Sequence, residues 1–194
     1  HHQYYPRAVK YDRLTNKWST QIIAITESVK NILMNLENVP ESKITLIHHG
    51  FKIDEFANVP VDRIDAMRRK YFPAGNKSKV LGVVSRFIEW KGLQYVIPAF
   101  RKLLEQEEDV YLLVVNATGP YSVTINQMLS ELPKHTFAIV PFETDIPALY
   151  RIFDIFIHVP VDRDAEAFGQ VYIEAMAAGV PSVITLSGIA RDFV

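Results

Sequence analysis

The sequence predicts an α/β protein in which a parallel sheet carries helices on both faces, preceded by a short piece of a second α/β domain. Short apolar runs alternate with helical patterns from residue 80 onward. The runs are apolar throughout, which is typical of strands buried on both faces of a parallel sheet. The 194 residues are 48% hydrophobic and 22% charged, which is typical of a globular protein with a substantial core.

Short β-rich runs bounded by turn residues are the predicted strands of the main sheet. They lie at residues 80–85, 111–115, 137–142, 155–159 and 181–186. Because helical patterns separate them, the order of elements predicts a doubly wound sheet.

The helices between these strands follow from the spacing of their apolar residues. One stripe runs through residues 92–108 with helical period, and it comprises Leu93, Val96, Ile97, Phe100, Leu103 and Leu104. Pro98 interrupts this stripe and predicts a kink or a late helix start. Residues 122–132 and 145–153 predict two further helices, the second with Asp145 as its N-cap ahead of Pro147.

The first fifty residues predict a separate strand, helix and strand, at residues 20–26, 28–36 and 43–50. A polar stretch with prolines and a glycine follows, and it is typical of a connection between two α/β units. We therefore expect a boundary after residue 50, a connection over 51–78, and the main domain over 79–194.

Charge and composition exclude several classes of protein. The formal net charge is −1, which gives no electrostatic footprint for nucleic acid. The absence of cysteine excludes disulfides and thiolate metal sites, and it is compatible with a reducing compartment. The sequence has no apolar run of the ~20 residues that span a membrane and no signal peptide. The first residue is not Met and the last follows an apolar run, so we expect a part of a longer protein.

Ligands of open α/β sheets bind beyond the carboxyl ends of the strands, so the loops there are the candidate site. Arg86 and Lys91 follow the first strand of the main sheet, beside a helix start. Two cations beside helix amides can hold a diphosphate. The alternative is a solvated turn.

The stretch EAFGQVYIEAMAAGVPSV, residues 166–183, follows the fourth strand of that sheet. A helix starting near Gly169 would direct the amides of Gly169, Gln170 and Val171 at an anion. Glu174, about one turn inside, could accept two hydrogen bonds from a ribose. Glu166 would lie near the group that the phosphates carry. The alternative is an exposed helix glutamate and a first-turn acid.

In combination and order, four motifs resemble the retaining glycosyltransferases of family 4, which have the GT-B fold of two facing Rossmann-like domains. The motifs are TESVKNIL (26–33), HHGF (48–51), SRFIEWKG (85–92) and EAFGQVYIEAMAAGVPSV (166–183). The resemblance implies that residues 1–50 end an acceptor-side domain. It also implies that 79–194 form most of a donor-binding domain.

The resemblance also implies roles for the candidate residues. Arg86 and Lys91 match the pair that holds the donor diphosphate, and Glu174 matches the glutamate on the ribose. Glu166 matches the residue near the transferred sugar. Beside it, Phe168, Gly169 and Gln170 match the step that offers backbone amides. Family members work without a metal or other cofactor, so we expect none here.

Departures from the family pattern affect the remaining positions. The turn NATGPYS, residues 116–122, keeps only Gly119 and Pro120 of a usually Gly-rich loop. Phe142 to Ile146 lie where such domains receive the base. His158 is interpreted as a packed strand-end histidine, and His48 and His49 as structural residues at the domain hinge. His1 or His2 is a candidate acceptor-side residue.

The sequence therefore predicts a cytoplasmic retaining hexosyltransferase that uses a nucleotide-diphosphate sugar. We expect its acceptor to be a saccharide, a lipid or a small molecule, and its missing N-terminal region to contact a membrane surface. Without that region we expect no transfer activity. Open alternatives are another GT-B enzyme, such as a glycogen- or sucrose-synthase-like enzyme, a nucleotide-sugar epimerase, and a non-catalytic nucleotide- or sugar-binding module or inactive paralogue.

Overall fold

The computed structural model describes residues 6–72, 78–107 and 109–192. The chain divides into two compact units. Unit 1 is built from the residues up to Phe51, from Asp162–Gln170 and from the residues that start at Thr185. Unit 2 is built from Lys52–Val161 and Val171–Ile184. His1 and His2 lie outside the described residues.

Unit 2 contains a five-stranded sheet in which every pair of neighbouring strands is parallel. The strand order is β5-β4-β3-β6-β7. Its strands are β3 (Lys79–Val84), β4 (Val110–Val115), β5 (Phe137–Val140), β6 (Ile155–His158) and β7 (Ser182–Ile184). The prediction of a parallel α/β sheet is confirmed.

Burial along the strands explains their apolar sequences. In β3 every residue after Lys79 is buried, and in β4 only Tyr111 is not. Both faces of these central strands are therefore covered, so neither can alternate polar with apolar residues. The edge strands β5 and β7 are more exposed.

The predicted helices of unit 2 form close to their expected positions. They are α5 (Leu93–Leu104), α6 (Ser122–Ser130), α7 (Ile146–Tyr150) and α8 (Gln170–Ala177), of which α8 begins in the last residue of unit 1. Helix α5 starts at Leu93 and runs through Pro98, so the late start is wrong. Asp145 caps α7 by accepting a hydrogen bond from the Ala148 amide at 3.2 Å, which confirms the predicted N-cap.

Two helices lie in the segment interpreted as a polar connection. They are α3 (Ile53–Ala57) and α4 (Val61–Tyr71), and both contact α7. The sequence pattern did not predict them, because α3 buries only Phe56 and α4 only Met67. One buried residue per helix leaves no apolar stripe to recognise.

Unit 1 contains a parallel pair of short strands. Its elements up to Phe51 are α1 (Pro6–Thr15), β1 (Ile22–Ala24), α2 (Glu27–Asn35) and β2 (Ile44–Leu46). Ala24, Leu33 and Val39 form its small core. The predicted strand-helix-strand order is observed, and α1 is an additional helix. Throughout the described residues, the helices are too short or too polar to cross a bilayer.

Candidate active site

The strand order creates a switch point at β3 in unit 2. From β3 the chain moves outward through β4 and β5, and it then returns to place β6 and β7 on the opposite side of β3. Such switch points are where open parallel sheets bind ligands, beyond the strand carboxyl ends. The loops that follow β3 and β6 therefore border the candidate site.

Backbone contacts fix the loop after β3 against the residues after β6. The Val161 amide donates to the Trp90 carbonyl at 3.0 Å. Gly92 adopts a φ of +80°, and a Cβ atom there would lie 1.8 Å from the Val159 carbonyl oxygen. Only glycine allows this approach, so the turn at Gly92 holds the two loops together.

Arg86 and Lys91 both lie in this fixed loop, as predicted. Arg86 is exposed and Lys91 is half-buried. Ser85, just before Arg86, donates its amide hydrogen to the Val115 carbonyl at 2.9 Å, and the Lys91 amide donates to Ile88 at 2.9 Å. The loop that carries the two cations therefore begins at a bond to the end of β4 and closes in a tight turn at Lys91.

The loop after β4 is bonded to the loop after β3. The Phe87 amide donates to the Thr118 carbonyl at 2.9 Å, and the Tyr121 amide donates to the Phe87 carbonyl at 3.0 Å. Gly119 lies between these two bonds. Gly119 and Arg86 therefore lie in two bonded loops at the carboxyl ends of β4 and β3.

The loop after β5 presents Phe142, which is 72% exposed, above the buried Glu143. Glu143 accepts hydrogen bonds from Lys70 at 2.7 Å and from Tyr71, both in α4. It also accepts from the amides of Thr144 and Asp145. Burial alone would raise the pKa of Glu143, but these donors outweigh it and lower the pKa to about 2.

Helix α4 makes a second contact with this loop. The Arg63 guanidinium donates to the Asp145 carboxylate, with Nε 3.1 Å from one oxygen. Two carboxylates of the loop are thus paired with α4, so the backbone that carries Phe142 is held by a helix that the sequence pattern did not predict.

Glu174 is buried, at 9% exposure, within α8. The hydroxyl of Tyr150, at the end of α7, donates to its Oε2 atom at 2.9 Å. Tyr150 is 0% exposed. Burial, followed by the Glu174 carboxylate, raises the pKa of Tyr150 well above its ordinary value, so the phenol stays a donor. The alternative of an exposed helix glutamate is therefore wrong.

Unit 1 holds Glu166 in a braced loop. Glu166 is 8% exposed, and its amide donates to the Ser187 hydroxyl at 3.0 Å. Ser187 in turn donates to the Arg163 carbonyl at 3.1 Å. A Cβ atom at Gly188, whose φ is +57°, would lie 2.5 Å from the Phe168 carbonyl oxygen. The segment after β7 therefore packs directly on the loop of Glu166.

The start of α2 braces the same loop from its other side. The Thr26 hydroxyl accepts from the Val29 amide as the N-cap, and it donates to the Ala167 carbonyl at 2.8 Å. Ser28 donates to the Asp164 carboxylate at 2.9 Å. The TESVKNIL motif therefore supports the Glu166 loop within unit 1.

The histidines of the HHGF motif also belong to unit 1. The ring of His49 packs edge-on against Phe168, with centroids 5.5 Å apart. His48 Nδ1 lies 3.2 Å from the Ile25 carbonyl oxygen. In unit 2, His158 is 2% exposed and packs against Phe156 and Tyr172, as a packed strand-end histidine does.

The predicted site residues thus fall into two groups, one in each unit. Unit 2 contains Arg86, Lys91, Gly119, Phe142, Val171 and Glu174. Unit 1 carries Glu166, Phe168, Gly169 and Gln170, with a φ of +80° at Gly169 just before α8. In the described part of the chain, no three His, Asp or Glu side chains are grouped as metal ligands.

Sequence reasoning missed three supporting side chains, namely Tyr150, Glu143 and Ser187. Each of them bonds to a residue that the fold brings near it. Tyr150 and Glu174, for example, are 24 residues apart in the sequence. Thr26 carried a usable signal, since a threonine before an apolar helix is a frequent N-cap. No local pattern indicated its bond to Ala167.

The chain is similar to known proteins in both sequence and fold. A family model described as "Glycosyl transferases group 1" matches residues 65–194, which is more than half of the chain. The crystal structure of HepE from Anabaena, in complex with UDP and glucose, superposes with a TM-score of 0.80 at 26% identity. The superposition covers 93% of this chain and 48% of HepE. The GT-B fold of this neighbour matches the predicted fold.

Two curated relatives are similar over most of the chain. The capsular polysaccharide biosynthesis glycosyltransferase CapM of Staphylococcus aureus is 28% identical over 86% of this chain. A GDP-mannose-dependent alpha-(1-6)-phosphatidylinositol monomannoside mannosyltransferase of Mycolicibacterium smegmatis is 31% identical over 80% of it. The match covers 43% of the first relative and 41% of the second.

Proposed function

Because the chain belongs to the glycosyl transferases group 1 family, we propose that it carries the donor-binding part of a retaining glycosyltransferase. The enzyme moves a hexose or related sugar from a nucleotide-diphosphate sugar to an acceptor. The observation that carries this proposal is the buried Glu174, to which Tyr150 donates a hydrogen bond about one turn inside α8.

The nucleotide binds to unit 2 in this proposal. Glu174 accepts hydrogen bonds from the two ribose hydroxyls, which are donors that match a carboxylate. Arg86 and Lys91 hold the diphosphate, since cations beside backbone amides suit phosphate oxygens. The base lies against the loop of Phe142, with Gly119 close to the nucleotide. The amides at the start of α8, including that of Val171, neutralise part of the negative charge of the diphosphate.

Glu166 acts on the transferred sugar, with Phe168, Gly169 and Gln170 beside it. As the bond from the anomeric carbon to the diphosphate breaks, positive charge develops on the sugar ring. The Glu166 carboxylate stabilises this charge, and the basic pair stabilises the leaving diphosphate without a metal. Attack of the acceptor on the same face, with its proton passing to a phosphate oxygen, retains the configuration. A double displacement through Glu166 is the competing route.

The relatives support the choice of substrates. HepE is seen with UDP and glucose, and the mycobacterial relative is named for GDP-mannose. UDP and GDP are therefore the nucleotides to test. CapM is named for capsular polysaccharide and the mycobacterial enzyme for a phosphatidylinositol mannoside. These names support a saccharide or lipid-linked acceptor, and a lipid-linked acceptor would bring the enzyme to a membrane surface.

Replacing Glu174 with alanine is expected to weaken UDP or GDP binding by about 10- to 100-fold. A hydrogen bond to a charged group contributes about 1.5–3 kcal/mol, and this change removes the acceptor for the ribose. Isothermal titration calorimetry measures the effect. The control is Glu131→Ala, an exposed glutamate paired with Arg101, which should bind like the wild type. Equal affinity in Glu174→Ala and the wild type would remove the ribose assignment.

Replacing Glu166 with glutamine is expected to lower kcat by about 100-fold or more while UDP or GDP affinity changes by less than about threefold. The amide keeps the size of the side chain but loses the charge that stabilises the transition state. Transfer and donor hydrolysis are measured in the full-length enzyme with a panel of nucleotide sugars, and NMR of the product reports its anomeric configuration. Equal losses in turnover and nucleotide affinity would contradict a role at the sugar. A full-length wild type that binds but neither transfers nor hydrolyses would favour a binding module.

A further inference from the structure

Tyr150 is a fully buried tyrosine whose ring is locked by other aromatic rings. Its centroid lies 6.0 Å from that of Phe56, 5.6 Å from Phe153 and 5.4 Å from Phe156. Aromatic rings at these spacings and tilts attract one another and resist rotation. The direction of the Tyr150 hydroxyl is therefore fixed by α3, by β6 and by the residues between α7 and β6.

The fixed hydroxyl faces α8. It donates to Glu174 Oε2 at 2.9 Å and lies 3.4 Å from the Val171 carbonyl oxygen, one turn earlier in the same helix. The phenol remains protonated at the pH at which enzymes work, because its pKa is raised by burial and by Glu174. Tyr150 is thus a permanent donor to one chosen oxygen of the carboxylate.

We propose that Tyr150 is a positioning residue that orients the Glu174 carboxylate toward the ribose hydroxyls of the donor. This inference rests on the proposed function of Glu174. A carboxylate at the end of a flexible side chain has several rotamers, and only some direct its oxygens at a diol. Binding one oxygen to a locked phenol selects a rotamer before the nucleotide arrives, which lowers the entropic cost of recognition.

A purely structural role makes a different prediction. If the hydroxyl only satisfied a buried carboxylate, its loss would lower the melting temperature and weaken all nucleotides alike. If the hydroxyl positions Glu174, its loss weakens the binding only of nucleotides that carry ribose hydroxyls. The two roles therefore separate in a comparison of a ribonucleotide with its dideoxy analogue.

The test is Tyr150→Phe, titrated with UDP or GDP, whichever binds the wild type more tightly, and with its 2′,3′-dideoxy counterpart. We expect about five- to tenfold weaker binding of the ribonucleotide and less than about twofold change for the dideoxynucleotide. In the Glu174→Ala background, Tyr150→Phe should have no further effect on ribonucleotide affinity. Tyr111→Phe removes a half-buried hydroxyl near the start of β4 and should bind both nucleotides like the wild type.

The possible results separate the role of Tyr150 from that of Glu174. Tyr150→Phe could weaken the binding of both nucleotides equally, or of neither, while Glu174→Ala abolishes the preference for the ribonucleotide over its dideoxy analogue. That result would overturn only the positioning role of Tyr150. If the wild type binds the ribonucleotide and its dideoxy analogue equally, the ribose assignment of Glu174 fails and the positioning role fails with it. A further loss in the Glu174→Ala background would show that Tyr150 acts by another route and would overturn the proposal.

Discussion

Replacing Gly92 with alanine is expected to destabilise unit 2 by about 2–5 kcal/mol. Two costs combine at this position. An alanine at a φ of +80° loses about 1–2 kcal/mol relative to glycine. Its Cβ atom would also lie 1.8 Å from the Val159 carbonyl oxygen, so the backbone after β6 must move, at a further cost of about 1–3 kcal/mol. Urea denaturation measures the change in unfolding free energy.

Two other glycines separate these costs. A Cβ atom at Gly179 meets no atom within 4 Å, but its φ is +71°. Gly50 also has open space and no positive φ. Gly179→Ala should therefore lose about 1–2 kcal/mol, and Gly50→Ala less than about 1 kcal/mol. A loss at Gly92 no larger than that at Gly179 would contradict the close approach to Val159.

Gly92→Ala should also weaken nucleotide binding. Displacing the turn at Gly92 moves the backbone of Lys91, and the loop after β3 also carries Arg86. We expect Gly92→Ala to weaken UDP or GDP binding even at temperatures at which the variant is fully folded. Gly179→Ala should retain wild-type affinity, because its turn lies at the far end of α8.

Replacing Glu143 with glutamine is expected to destabilise the protein by about 3 kcal/mol at pH 7. The carboxylate is 3% exposed and accepts hydrogen bonds from Lys70, Tyr71 and two backbone amides. Glutamine is neutral and replaces one acceptor with an NH₂ group that faces another donor. The Lys70 side chain is 55% exposed and can return to water, but the half-buried Tyr71 hydroxyl and the two amides lose a charged acceptor, which is costly. Urea denaturation at pH 7 measures the difference.

This difference should depend on pH in a defined direction. The pKa of Glu143 is lowered from an ordinary 4.5 to about 2. The stability it contributes is therefore fully present above pH 4.5, and it is lost as the pH falls from about 4.5 toward about 2. The gap between wild type and Glu143→Gln should narrow over that range and stay constant between pH 6 and pH 8.

The exposed pair of Arg101 and Glu131 provides the control for Glu143. Its side chains are 54% and 59% exposed, so Glu131→Gln should change stability by less than about 1 kcal/mol at pH 7. If Glu143→Gln were as mild, the bond network that holds the Phe142 loop would not be formed in solution.

The fold was predictable where burial is visible in the sequence. Strands β3 and β4 are covered on both faces, so their apolar runs were unambiguous. Helix α5 buries one face, and its apolar stripe of Leu93, Val96, Ile97 and Phe100 marks that face in the sequence. Helix α4 was not predictable, because it is attached by Arg63, Lys70 and Tyr71 to carboxylates far along the chain. Polar attachments of this kind leave no periodic signal.

The site was predictable to the level of loops and residue types. Strand ends and helix starts pointed to Arg86, Lys91 and Glu174, and all three lie in unit 2, in segments that follow β3 and β6. The burial of Glu174 could not be predicted, because it depends on Tyr150 in another helix. The bracing of Glu166 depends likewise on hydroxyls of Thr26 and Ser187 that lie far from it in sequence.

The discontinuous build of unit 1 has a consequence for the order in which the protein is made. Thr26 contacts Ala167 across 141 residues, and Glu27 contacts Asp192 across 165. A chain that leaves the ribosome from its N-terminus can pair β3 with β4 and β5 long before those partners are synthesised. The hydroxyls of Thr26 and Ser28 cannot make their bonds to Ala167 and Asp164 until those residues have also left the ribosome. Completion of the Glu166 loop is thus a late event in biosynthesis.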